Sequence, residues 1–66
     1  MEITVNGEPR DVQHGTTIAA LLAELHLLPT SVAVEVDLEI VPRAGYAEHP
    51  LRAGAVVEIV TFVGGG

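Results

Sequence analysis

The sequence predicts an α+β domain in which one main helix packs on a mixed sheet of four or five strands. Two segments with the alternation of strands, MEITV and SVAVEV, lie on either side of a single stretch with helical periodicity. A third segment, AVVEIVTFV, is the most apolar stretch of the chain. The predicted order is β-β-α-β-β-β. Because one helix can cover only one face of such a sheet, a two-layer arrangement follows.

The first two strands are predicted to form a hairpin. The segment MEITV places Met1, Ile3 and Val5 on one face, as in a half-buried strand. Asn6-Gly7 follows, a pair that favours a type I′ turn because both central residues of that turn need positive φ. The return strand PRDVQ contains Pro9, which cannot donate to a ladder, so this strand is predicted to lie at a sheet edge.

The segment GTTIAALLAELHLLP has the periodicity of an amphipathic helix. Its apolar residues recur on one face, namely Ile18, Leu21, Leu22, Leu25 and Leu28. Thr16 or Thr17 can cap the helix by accepting a hydrogen bond from an early N–H. Pro29 is predicted to stop the helix.

The second half of the chain predicts three further strands. Val32 begins the alternating segment VAVEV, Asp37-Leu38 predicts a turn into the short strand EIV, and the last strand is expected over Val56–Phe62. We assign Val57 and Ile59 to the core beneath the helix, because Glu58 in the alternate row should face water.

This assignment leaves Val60 and Phe62 on an open sheet face. Both side chains are apolar, and they lie in the last strand just before the terminal glycines. An exposed apolar patch usually marks a surface that binds a partner. We therefore predict that Val60 and Phe62 bind a partner.

Composition limits the classes of function. The 66 residues allow one small domain, without an apolar run near the ~20 residues that cross a bilayer and without the features of a signal peptide. We therefore expect a cytoplasmic protein that is monomeric on its own and does not bind membranes.

The chain has no Cys and no Lys, and its formal net charge of −6 argues against nucleic acid and favours a protein partner with a basic face.

The histidines and the tyrosine do not form a recognisable catalytic motif. His14, His26 and His49 lack the spacing of a zinc site and lack an evident Asp/Ser or Asp/Cys partnership. We interpret them as ordinary surface or helix-end residues. Tyr46 could act as a lone acid or base, but packing over a loop is the favoured interpretation.

The carboxylates near the second turn are a further candidate site. Glu35, Asp37 and Glu39 are predicted to alternate on one face near a turn, a spacing that could hold a metal, although a solvated charge cluster is favoured. Arg43 could pair with a partner's acid or brace its own loop, and the sequence leaves both open. We predict no catalytic residue, no bound cofactor and no metal site.

The segment TFVGGG is the remaining candidate, and it divides the chain into a domain over residues 1–63 and a flexible C-terminal tail over 64–66. Glycine has no Cβ, so it can pass through a narrow channel, and three residues reach about 10 Å. A carboxylate reacts with a nucleophile only after its oxygen becomes a leaving group, which adenylylation by ATP provides. A frayed tail without function is the alternative interpretation.

A hairpin-helix-sheet domain that ends in Gly-Gly resembles the ubiquitin-like β-grasp proteins. The length, the segment EIVPR and the ending VEIVTFVGGG resemble the ThiS family, the sulfur carriers of thiamin thiazole biosynthesis, over the whole chain. Molybdopterin-synthase carriers are similar but have a proline before their glycines, which TFVGGG lacks. The chain departs from the family pattern in its third glycine and in RAGA, where acidic residues are often found.

The resemblance implies a carrier rather than an enzyme. A ThiF-like adenylyltransferase would use ATP and Mg²⁺ to form an acyl-adenylate at Gly66, and a sulfurtransferase or cysteine desulfurase would supply sulfur for a thiocarboxylate. A ThiG-like thiazole synthase would accept the charged tail, with Gly64 and Gly65 bound by the partner. The alternatives are a sibling carrier for molybdopterin or tRNA thiolation, and a non-catalytic β-grasp interaction domain.

Overall fold

The structure, a computed structural model, describes residues 1–62 and contains one α-helix packed on a five-stranded sheet. The helix α1 spans Ile18–Glu24, and two 3₁₀ helices span Pro29–Ser31 and Arg43–Glu48. The strands are β1 (Glu2–Val5), β2 (Glu8–Asp11), β3 (Val32–Val36), β4 (Glu39–Val41) and β5 (Val56–Thr61). The predicted order of elements is confirmed. The predicted tail, Gly64–Gly66, lies outside the described residues.

The strands are arranged in the order β2-β1-β5-β3-β4. Strands β1 and β5 are parallel, and the other neighbouring pairs are antiparallel. Strand β2, which contains Pro9, lies at an edge as predicted. Strand β5 lies in the centre, so the last strand of the chain has ladder partners on both sides. No helix within residues 1–62 has the length and apolar character needed to span a membrane.

The predicted division of β5 into a core face and an open face is confirmed. Val57 and Ile59 are buried beneath α1, whereas Val60 and Phe62 are 61% and 57% exposed. The side chains that are almost completely buried come from both layers, and the largest are Ile3, Ile18, Leu21, Leu22, Val34 and Val57. The helix therefore covers one face of the sheet and leaves the other open.

The N-terminus of α1 is capped by Thr17, one of the two predicted candidates. The Thr17 hydroxyl accepts a hydrogen bond from the Ala20 N–H at 3.1 Å. Thr16 is buried and donates from its hydroxyl to the Gln13 carbonyl at 2.7 Å, so it closes the preceding turn instead. The cap provides a partner for one of the N–H groups that the first helical turn leaves unpaired.

The predicted C-terminus of α1 is wrong. The helix ends at Glu24 rather than before Pro29, and Leu28 is 67% exposed instead of lying on the buried helix face. His26 adopts a left-handed conformation with φ of 60°, which turns the chain away from the helix axis. The N–H groups of His26 and Leu27 then donate to Ala23 and Leu22 carbonyls at 3.1 and 2.9 Å. This is the Schellman pattern that terminates many helices.

Candidate functional site: the open face and the end of strand β5

Strand β5 is held in register up to the last described residue. Thr61 lies opposite Val32 in the antiparallel ladder with β3. The Phe62 N–H then donates to the Ser31 carbonyl at 2.9 Å. The predicted tail begins two positions after Phe62 in the sequence, and the roles predicted for Gly64, Gly65 and Gly66 stay predictions.

Side chains in two turns bond to the backbone of β5, one at the first residue of the strand and the other in its second half. Asn6 and Asp37 are the first central residues of the β1–β2 and β3–β4 turns, each with φ of 49°. The Asn6 amide donates to the Ile59 carbonyl at 3.1 Å and accepts from the Ile59 N–H at 2.7 Å. The Asp37 carboxylate accepts from the Val56 N–H at 2.9 Å. These bonds fix the strand that leads to the predicted tail.

The open face presents apolar side chains from β5 and β4. Val56, Val60 and Phe62 alternate along β5 on this face, and Ile40 occupies it on the edge strand β4. Ala33 lies directly opposite Val60, so a small side chain stands beside the exposed valine. Apolar surface of this kind, on a domain this small, is what a partner-binding face presents.

Two carboxylates lie between the apolar residues of the open face. Glu35 and Glu58 are directly opposite each other in the β3–β5 ladder. Like charges in this arrangement destabilise a sheet. Within residues 1–62 the salt bridges join the Met1 amine to Asp11 and Arg10 to Glu24, so neither glutamate of the pair has one there. The face is therefore both apolar and acidic.

The interpretation of Glu35, Asp37 and Glu39 as a cluster on one face is wrong. Glu35 points to the open face, Asp37 lies in the turn, and Glu39 is opposite the buried Val36, on the other face of the sheet. The two-residue turn at Asp37-Leu38 interrupts the alternation on which the prediction rested. Within residues 1–62 no group of three or more metal-binding side chains is close enough to hold an ion.

The remaining polar candidates are dispersed over the fold. His14 and His26 are exposed, while His49 is half-buried with a buried Nδ1 atom that has no hydrogen-bond partner within residues 1–62. Tyr46 is buried in the core, which confirms its interpretation as a packing residue. Arg43 is exposed at the first position of the second 3₁₀ helix, and neither of its two predicted roles is tested there.

The clamping role of Asn6 and Asp37 is what the sequence failed to indicate. Both residues were recognised as turn formers, and Asx residues commonly bond to backbone within their own turn. Asn6 and Ile59 are 53 positions apart in the sequence, so no local pattern indicates that the Asn6 amide bonds to the Ile59 carbonyl and N–H. The one sequence signal for these bonds is that Asn6 and Asp37, both Asx residues, occupy the same position of the two turns.

Within residues 1–62, a hairpin, one helix and a mixed sheet with β5 at its centre define a ubiquitin-like β-grasp domain. Residues 3–66 match the model of the ThiS family. The chain therefore belongs to the ThiS family. This confirms the predicted resemblance to the family and the predicted fold.

Solved and curated relatives agree with this assignment. The crystal structure of the thiamine biosynthesis protein ThiS from Geobacter metallireducens is 32% identical, covers the whole of both chains and superposes with a TM-score of 0.84. The sulfur carrier protein ThiS of Thermus thermophilus is 36% identical over 64 residues, 97% of this chain and 98% of that protein.

A longer relative carries a different name. The thiazole synthase of Paramagnetospirillum magneticum is 46% identical over 66 residues, which is the whole of this chain. The chain spans only 20% of the length of that protein.

Proposed function

We propose that this chain carries sulfur for thiazole formation in thiamin biosynthesis, with Gly66 as the group that is modified. The observation that supports this most is the position of β5. It is the central strand, is clamped at Val56 and Ile59 by two turns, and leads toward the terminal glycines beside an open apolar face. A strand held in this way can present a short tail to an enzyme that binds the open face of the sheet.

The chemistry belongs to the tail and its partner enzymes. A Gly66 carboxylate oxygen attacks the α-phosphorus of ATP, pyrophosphate leaves and an acyl-adenylate forms, with Mg²⁺ held by the adenylyltransferase. Hydrosulfide, added as such or released from the donor's persulfide by a reducing thiol, then attacks the acyl carbon and AMP leaves, so the terminus becomes a thiocarboxylate. With no Cys and no Lys in the chain, no side-chain thiol or amine competes for the acyl group.

The proposed partners are those that the family resemblance implies, and one of them has support from a relative. A ThiF-like adenylyltransferase and a sulfurtransferase or cysteine desulfurase supply activation and sulfur, in the cytoplasm. A protein named thiazole synthase contains a stretch similar to the whole of this chain, which supports thiazole synthase as the acceptor. In this proposal Gly64 and Gly65 occupy the partner's channel, while Val60 and Phe62 contact its surface.

Intact-mass spectrometry tests the covalent step. Incubated with its adenylyltransferase, Mg-ATP and sulfide, the protein is expected to gain the mass difference between one sulfur and one oxygen, and fragmentation should place the change on Gly66. Omission of ATP is the control and should leave the mass unchanged. If the mass never changes, or the change maps elsewhere, a β-grasp interaction domain with an idle tail becomes the better account.

Substitution of Phe62 tests the open face as a docking surface. Phe62→Asp is expected to weaken binding to the adenylyltransferase by at least about tenfold, since one apolar side chain buried at an interface contributes about 1.5–3 kcal/mol. The melting temperature should change little, because the side chain is 57% exposed. Titration calorimetry and thermal unfolding measure the two effects.

Val57→Asp is the matched control on the same strand. Val57 is fully buried beneath α1, so a carboxylate there should unfold the domain or lower its melting temperature sharply. A Phe62→Asp variant that loses stability as Val57→Asp does would show that Phe62 is part of the core rather than of a docking face.

A further inference from the structure

The two hairpin turns of the sheet share one backbone conformation but differ in sequence. In the first turn, Asn6 and Gly7 have φ of 49° and 82°; in the second, Asp37 and Leu38 have φ of 49° and 72°. Both are two-residue connections between antiparallel strands with left-handed central residues, as in type I′ turns. The second position takes glycine in one turn and leucine in the other.

Leucine at this position lowers the stability of the fold. The left-handed conformation brings Cβ close to the following carbonyl oxygen, which glycine avoids because it has no Cβ. Burial of the side chain does not offset this cost, since Leu38 is 86% exposed. Neither the turn nor the packing of the domain accounts for a leucine here. A residue held in a disfavoured conformation at the surface is a reason to look for a function.

The surroundings of Leu38 have a distinct chemical character. Ile40, two residues further along the hairpin, is 78% exposed on the open face. Asp37 and Glu39 flank Leu38 in the sequence, and the Glu35–Glu58 pair lies beyond Ile40 in the adjoining strands. An open groove of about 500 Å³ borders the same hairpin, with Asp37, Glu39 and Ile40 in its wall together with one basic residue, Arg52. We refer to Leu38 and Ile40 as the hairpin anchor.

We propose that the hairpin anchor inserts into an apolar pocket with a basic rim on the adenylyltransferase that activates the tail. This inference rests on the proposed carrier function and specifies the chemistry of its partner. The acidic residues beside the anchor favour a partner with Arg or Lys around the pocket. They disfavour a second copy of this chain, which would bring carboxylates against carboxylates. They also disfavour an anionic membrane surface.

The anchor and the tail attach to opposite ends of β5. Asp37 bonds to Val56 at the first residue of the strand, and the predicted tail begins three positions after its last residue, Thr61. Five residue steps of a strand span about 16 Å. A single partner surface of ordinary size can cover that distance and contact Val60 within the strand and Phe62 directly after it. Two separated attachment points would fix the direction in which the tail enters the active site.

Substitutions at Leu38 separate binding from stability. Leu38→Gly and Leu38→Asn both suit a left-handed residue, so they should raise the melting temperature. They should also weaken binding of the full chain to the adenylyltransferase by about 10- to 100-fold, the loss expected for one apolar anchor. Leu38→Met keeps the apolar side chain and should retain binding to within about threefold. Affinity is measured by titration calorimetry at several salt concentrations.

A second exposed leucine provides the control. Leu28 is 67% exposed, has an ordinary φ of −82° and lies outside the sheet. Leu28→Asn should leave the affinity within about twofold of the wild type. Equal weakening by Leu28→Asn and Leu38→Asn would overturn the proposal, as would unchanged affinity in Leu38→Gly. Self-association of the wild type that Leu38→Gly removes would also overturn it, in favour of a second copy.

Sulfur loading, followed in parallel by intact mass, distinguishes the inference from the function on which it rests. If the wild type and Leu38→Gly are both loaded with sulfur at equal apparent KM, the docking role of the hairpin anchor is contradicted and the carrier function is supported. Binding that depends on Leu38 without any loading of the wild type supports the anchor and contradicts the carrier function. A wild type that neither binds nor is loaded contradicts both.

Discussion

Deletion of Gly66 is expected to reduce adenylylation of the chain by at least about 100-fold while leaving its melting temperature unchanged. The new terminal carboxylate, on Gly65, would end about 3.4 Å short of the position that the full tail reaches. Misplacement of a reacting group by even ~1 Å can cost about 100-fold in rate. The measurement is ATP-dependent pyrophosphate release with the cognate adenylyltransferase, together with thermal unfolding of the carrier.

Gly65→Ala tests the narrowness of the partner's channel with the tail length intact. An added Cβ is expected to slow activation strongly, because a channel that fits glycine backbone has no room for a side chain. Gly45→Ala is the matched control within the folded domain. Its added Cβ would meet only Val41 Cγ1, at 3.9 Å, an ordinary contact. Wild-type adenylylation of the Gly66-deleted chain, or equal behaviour of the two alanine variants, would contradict the proposed role of the tail.

The elements of the sheet were predictable because each depends on local chemistry. The Asn6-Gly7 turn, the alternation of valines in β3 and the edge position of Pro9 all follow from short-range rules of backbone conformation. The second turn was predictable from Asp37, although the rules for this turn do not favour Leu38. The faces of β5 were predictable for a related reason. Glu58 identified the solvent side of the strand, and the alternation then placed Val60 and Phe62 beside it.

The end of α1 was not predictable from periodicity. The apolar pattern continues to Leu28, but it does not indicate that His26 leaves the right-handed helical conformation of the backbone. Glycine is the usual residue at this position of a Schellman motif, and its absence removed the ordinary signal for a helix end. Leu25 and Leu27 still pack against the core from beyond the helix, so their apolar character is satisfied without a further helical turn.

The candidate site was predicted in part. Its apolar members on β5 follow from alternation, but the opposition of Glu35 and Glu58 depends on how β3 and β5 are paired. The sequence places these strands about twenty positions apart and does not state their register. The same limit hid the Asn6 clamp, because Ile59 is 53 positions away along the chain. Long-range pairing is the information that short sequence patterns lack.

The Asn6 clamp is expected to be among the most sensitive polar features of the fold. Asn6→Gly keeps a residue that tolerates the left-handed turn but removes both side-chain bonds to Ile59. Each lost bond leaves a backbone group of the central strand without its partner, at about 1–1.5 kcal/mol each. The free energy of unfolding should therefore fall by about 2–3 kcal/mol, a large share of the ~3–10 kcal/mol available to a domain of this size.

Asp37→Gly is the comparison that tests the free energy assigned to each lost hydrogen bond. Asp37 occupies the equivalent turn position with the same φ of 49°, but its side chain makes one bond, to the Val56 N–H. Its loss should cost about half as much as the loss of the Asn6 side chain. Urea unfolding at fixed pH and salt measures both variants on one scale. An Asn6→Gly variant within about 0.5 kcal/mol of the wild type would show that water replaces the clamp without cost. The register of strand β5 would then depend on the β1 and β3 ladders alone.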